Sequence, residues 1–176
     1  MRKEGKKNFK KLYGILAIII FLIILIDQLS KVLVIHYEEI KFVSDTIILK
    51  QADIPQSAYD ETYRGVTILT NLVIVGIIFG IIKSDNQFIK NKTKILLSFA
   101  FAGGVSNIID RLCRGSVVEF IHIGNFPVFN IADVCILIGW LSFVAIFASF
   151  SAKELTKKKT QTDEEKKTEN NDNTNS

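Results

Sequence analysis

Four stretches of this chain are apolar for longer than a soluble core helix or strand requires. They run over Leu12–Ile35, Gly65–Ile82, Lys94–Leu112 and Phe129–Phe150. Each holds roughly the ~20 residues with which an α-helix crosses ~30 Å of hydrocarbon. A segment in lipid has no water to satisfy its backbone N–H and C=O groups, so the helix, which satisfies them internally, is the expected form. The first stretch follows a basic start and could pass for a signal peptide. It is long, however, and is followed by "DQLSK" rather than by a small-residue cleavage site, so it is expected to be retained.

The lysines and arginines set the expected orientation. They crowd the N-terminal arm (residues 1–11), the connection "KSDNQFIKNKTK" between the second and third segments, and the start of the tail at Lys153 and Lys157–Lys159. The connection between the first two segments is acidic, with Glu38, Glu39, Asp45, Asp53, Asp60 and Glu61. The positive-inside rule then predicts cytoplasmic termini and two outward connections. The net charge of +4 flanks apolar runs instead of forming a basic folded face, which argues against a nucleic-acid binder. Cys113 and Cys135 make no disulfide framework and no metal-binding spacing, so both read as buried free thiols.

Residues 151–176 are polar and low in complexity, and disorder is expected there. The outward connections have β character. "IKFVSDTIILK" holds two short apolar runs around Ser44-Asp45, and "SVVEFIHIGNFPVF" holds two around a tight turn at Gly124-Asn125. The expected fold class is therefore an all-α polytopic membrane protein, with four transmembrane helices and a small extracytoplasmic sheet.

Three acids interrupt the apolar pattern: Asp27, Asp110 and Asp133. At 1.5 Å per residue, Asp110 rises ~24 Å from Lys94, Asp27 reaches a similar height, and Asp133 sits ~6 Å below the outward end of the fourth segment. All three thus fall in the outer part of the bilayer. An acid at such depth is costly and often marks function. It can also be a paired acid, and Lys31 and Arg114 stand four residues after Asp27 and Asp110. Asn107 and Asp110 share a helix face, and Asn130 and Asp133 repeat the spacing. Two carboxyls that meet in a poorly solvated site share a proton, so one acts as acid and the other as base on a water molecule.

"DQLSK", "GGVSNIIDR" and "FNIAD", in that order, resemble the motifs of lipoprotein signal peptidase (signal peptidase II) across residues 12–150. The resemblance implies a bacterial intramembrane aspartic endopeptidase of four helices with an extracytoplasmic β-cradle. It implies a catalytic dyad of Asp110 and Asp133, supported by Asn107, Arg111, Glu119, Asn130 and Ala132, with Asp27 and Lys31 in a supporting or substrate-contact role. The implied substrate is a prolipoprotein carrying diacylglycerol on a cysteine, cut just before that cysteine. The resemblance implies no cofactor, no metal and no nucleic-acid partner, and a monomer among membrane lipids of the bacterial cell membrane.

Three positions depart from the family pattern. An Asn-x-Gly-x-Ala-Phe motif is replaced by "YRGVTI", which keeps only Gly65; a glycine before Asn107 is Ser106; and an aspartate is Glu119. Two other functions stay open: a relative that binds precursors without cutting them, and a small transporter or proton relay. Glu119, His122 and His36 form no convincing metal set, since residues three apart on a strand face opposite ways.

Overall fold

A computed structural model describes residues 2–37, 39–42, 47–50, 61–84 and 89–174, with side chains over 10–37, 61–84, 89–152 and 155–156. Asp45, Asp53 and Asp60 of the acidic connection lie outside the described residues. The helices are α1 (Arg2–Tyr37), α2 (Glu61–Lys83), α3 (Asn91–Cys113) and α4 (Ile131–Thr174). Each contains one span long and apolar enough for a membrane: Lys10–Tyr37, Glu61–Lys83, Asn91–Cys113 and Ile131–Ala152. These match the four expected segments to within a few residues.

The bundle is organised on α3, which packs against α1, α2 and α4. Its sequence explains this position. It is the least apolar span and the most buried one, and its inner face is built from Ser98, Ala100, Ala102, Gly103, Gly104, Ser106 and Asn107. Small residues let helix backbones approach closely in lipid. A Cβ at Gly103 would lie 2.3 Å from the carbonyl oxygen of Ala132, and one at Gly139 would lie 2.5 Å from the Ala100 methyl. The first turn of α4 therefore rests directly on α3.

Leu12, Leu16, Ile78, Ile82, Leu97 and Ala100 form an apolar core towards one end of the bundle. Val34, Val118 and Phe120 form another beneath the sheet end. Phe21, Leu69, Leu141 and Phe147 are among the many large apolar side chains left exposed on the outer faces of the helices. An exposed apolar belt of this extent is the surface of an integral membrane protein.

Three antiparallel strands form a sheet in the order β1 (Glu39–Phe42), β2 (Ile47–Lys50), β3 (Ile121–Ile123). Ile40 pairs with Leu49, and Ile48 with His122. Gly124 adopts a φ of 51°, and the Phe126 N–H returns to the Ile123 carbonyl at 3.0 Å, closing the expected turn. Ile121 and Phe129 then exchange backbone hydrogen bonds at 2.8 and 3.2 Å. The sheet joins the C-terminal end of α1 to the connection between α3 and α4, at the end of the bundle that holds the acids.

One segment differs from expectation. The tail from residue 151, expected to be disordered, continues α4 as helix to Thr174. No glycine or proline follows Gly139, and the tail is rich in lysine and glutamate. A helix already nucleated in the membrane meets no breaker there and elongates at little cost.

Candidate active site

The site begins with three residues on one turn of α1, Asp27, Gln28 and Lys31, in a span dominated by isoleucine and leucine. Asp27 and Lys31 have no solvent exposure. The Lys31 ammonium carries three donors, and three acceptors meet them: Asp27 Oδ2 at 2.6 Å, Asp110 Oδ2 at 2.6 Å and Asn107 Oδ1 at 3.2 Å. The remaining acceptors of Asp27 hold two other helices. Its Oδ2 takes the Ser106 hydroxyl of α3 at 2.7 Å, and its Oδ1 takes the Ala132 N–H of α4 at 2.9 Å. A carboxylate on the free amides of a helix N-terminus also meets the positive end of the helix dipole.

Asp110, at the C-terminal turn of α3, is likewise without exposure. Its Oδ1 accepts from Gln28 at 3.0 Å and from Arg114, and its Oδ2 accepts from Lys31 and from the Val118 N–H at 3.2 Å. A carboxylate offers about four lone-pair directions, and here four donors occupy them. Both i,i+4 ion pairs that the sequence allows, Asp27–Lys31 and Asp110–Arg114, are formed.

Asp133 has a different setting. It is partly exposed, at the start of α4. Asn130 caps that helix: its Oδ1 accepts the Asp133 N–H at 2.8 Å, while its own N–H donates to Asp133 Oδ2 at 3.1 Å. This is the reciprocal arrangement of a capping box. Asn107 donates to Asp133 Oδ1 at 2.8 Å, and Asn130 Nδ2 donates to Asn107 Oδ1 at 3.3 Å and to the Val118 carbonyl at 3.2 Å. Asp133 and Asp110 are thus joined through Asn107 and Lys31, and Asp133 retains acceptor capacity on both oxygens.

Glu119 and Arg111 border the network. Glu119, half-buried on the connection after α3, has its carboxyl pushed above the usual range, first by burial and next by the charge of Asp133, with Arg111 and Lys31 opposing. Arg111 donates to the Asn107 carbonyl at 3.2 Å and lies within electrostatic reach of Asp133, Tyr63, Asp110 and Glu119. All nine residues singled out from the sequence therefore gather at one end of the bundle. Gln28, Ser106 and Arg114 join them without having been assigned a place in the site. Gln28 and Ser106 lie inside the motifs "DQLSK" and "GGVSNIIDR", and Arg114 is marked in the sequence only by its i,i+4 spacing from Asp110. Among the described residues no group of acids, histidines and cysteines forms a metal site.

The arrangement of helices is shared with solved bacterial membrane enzymes. One, determined by the in meso method at 2.3 Å resolution, superposes with a TM-score of 0.67 over 80% of this chain and 91% of its own, at 20% identity. A second, at 1.9 Å resolution, gives 0.66 over 76% and 92%, at 22% identity. The architecture is that of a four-span integral membrane protein. Residues 19–149 match the family described as signal peptidase (SPase) II, and the chain belongs to that peptidase family. Relatives named lipoprotein signal peptidase include one from Thermodesulfovibrio yellowstonii, 36% identical over 73% of this chain and 90% of its own. Another, from Rickettsia typhi, is 30% identical over 84% and 82%.

Proposed function

We propose that this chain is an aspartic-type endopeptidase that removes the signal peptide from diacylglyceryl-modified prolipoproteins, cutting before the lipidated cysteine. Membership of the signal peptidase II family supports the substrate class. The observation that carries the chemistry is the contrast between two carboxyls at the site: Asp133 keeps open acceptor sites, and Glu119 beside it is biased towards its protonated form. Asp133, ionised, takes a proton from a water molecule. Glu119, protonated, donates to the scissile carbonyl as the water adds; Asp133 then passes its proton to the amide nitrogen as the C–N bond breaks, and Glu119 recovers a proton from the collapsing diol. Asn107 and Asn130 hold the Asp133 carboxylate, Asp27 holds the Ala132 amide beside it, and Arg111 offsets the negative charge.

The pairing of Asp110 with Asp133 is the second reading, favoured by the Asn107–Lys31 link between them. Against it, the four donors on Asp110 leave no acceptor direction for a water. In the first reading Asp110 is the counter-ion of Lys31 and Arg114. The outward placement of the site and sheet, with both termini cytoplasmic, rests on the distribution of lysine and arginine.

Conversion of a lipidated precursor in reconstituted vesicles tests these readings. Asp133→Asn and Glu119→Gln, both folded, are expected to leave the precursor uncut. Cleavage by Glu119→Gln together with a folded but inactive Asp110→Asn would transfer the second catalytic role to Asp110. Precursor binding without conversion by the unaltered chain would identify a non-cleaving relative instead.

A further inference from the structure

Serines inside helices commonly bond back to their own helix. Ser30, Ser98 and Ser149 do so, donating to the carbonyls of Ile26, Ile95 and Ala145 at 2.6–2.8 Å. Ser106 does not follow them. It is fully buried in α3, and its hydroxyl crosses to α1, donating to Asp27 Oδ2 at 2.7 Å. Ser106 Oγ also accepts the Gln28 amide at 2.9 Å, and Gln28 donates to Asp110 and accepts from Arg114 at 2.8 Å. Ser106 is therefore the junction at which the Asp27 carboxylate and the Gln28–Asp110–Arg114 group meet.

The consequence lies in α4. Asp27 has one oxygen on Ser106 and Lys31 and the other on the Ala132 N–H. Ala132 immediately precedes Asp133. The Asp27 carboxylate thus links Ser106 to the first turn of α4, from which Asp133 projects. With the hydroxyl gone, Lys31 alone holds the Oδ2 side, and its ammonium is shared with Asp110.

We propose that Ser106 is a positioning residue for cleavage, acting through Asp27 and the Ala132 amide to aim Asp133. This inference rests on the proposed role of Asp133. Ser106 touches no reacting group, so its loss should lower turnover and leave substrate affinity alone.

The experiment measures kcat and KM per folded molecule for full-length protein in vesicles with a diacylglyceryl-modified prolipoprotein. It compares the unaltered chain with Ser106→Cys and Ser106→Ala, counting the folded fraction from thermal unfolding. Cysteine keeps the volume and weakens the donor; alanine removes it. Turnover is expected to fall in the order serine, cysteine, alanine, reaching a loss of about tenfold for alanine, the scale of a lost hydrogen bond to a charged group, with KM unchanged. If alanine does not fold, the drop from serine to cysteine carries the comparison. Equal turnover per folded molecule in the variants and the unaltered chain overturns the inference while leaving the proposed function standing. A raised KM at constant kcat also overturns it, because it would place Ser106 in substrate contact. An unaltered chain that leaves the precursor uncut overturns both.

Discussion

An ammonium group without solvent exposure survives in a membrane helix when each of its donors is met, and Lys31 meets that condition with two carboxylates and an amide. Removing one partner of a buried ion cluster leaves the others uncompensated, at a cost of about 3–5 kcal/mol. Lys31→Met should therefore destabilise the detergent-solubilised protein by that order, and denaturant unfolding reads it. A variant as stable as the parent would contradict the cluster's role. Glu119 makes a second residue-scale prediction. Its folded pKa lies above its ordinary 4.5, so it contributes stability that is fully present below that value and lost as pH rises through the raised one. The stability of the parent relative to Glu119→Gln should fall over that rise, as thermal unfolding at several pH values would record. The Asp27–Lys31 pair is legible from i,i+4 spacing. The Lys31–Asp110 pair is not, because the two residues are far apart in the chain and only helix packing brings them together.

Two helix contacts decide where the site sits. Gly103 lets α4 rest on α3, and a methyl group there would press on the Ala132 backbone. Gly103→Ala should cost about 1–3 kcal/mol of stability through overpacking, again read by unfolding, and should lower cleavage because the α4 start is displaced. Asn130 caps that same helix while holding Asp133. Asn130→Ala should lose about 0.5–2 kcal/mol for the cap and should lose cleavage as well; normal cleavage would mean that Asp133 does not depend on its cap. The helices, the hairpin at Gly124 and the strand character of both connections are legible as periodicity, length and turn chemistry. The pairing of β2 with β3 is not, since those strands come from different connections. The helical continuation of the tail is not legible either, because composition reports how little a segment can bury and not whether an existing helix will elongate into it.

Across the whole molecule, the charge pattern predicts that the Lys90–Lys94 turn faces the cytoplasm and that the Gly124 hairpin faces outward. Single cysteines placed at Lys92 and Asn125, in a chain lacking Cys113 and Cys135, should be labelled by an impermeant thiol reagent from opposite sides of sealed vesicles; labelling from one side would refute this topology. The spans, their number and the presence of acids near one end of the bundle follow from sequence by itself, because hydrocarbon thickness and backbone hydrogen bonding leave a long apolar segment few alternatives. Which acid is sealed and which stays open is decided by tertiary structure. Asp110 and Asp133 stand in the same Asn-x-x-Asp spacing, yet one is enclosed by donors from α1 and from Arg114 and Val118 just after it, while the other remains partly exposed beside Glu119. A carboxyl's chemistry is set by the donors and charges around it, and those come from residues that the chain brings together only when it folds.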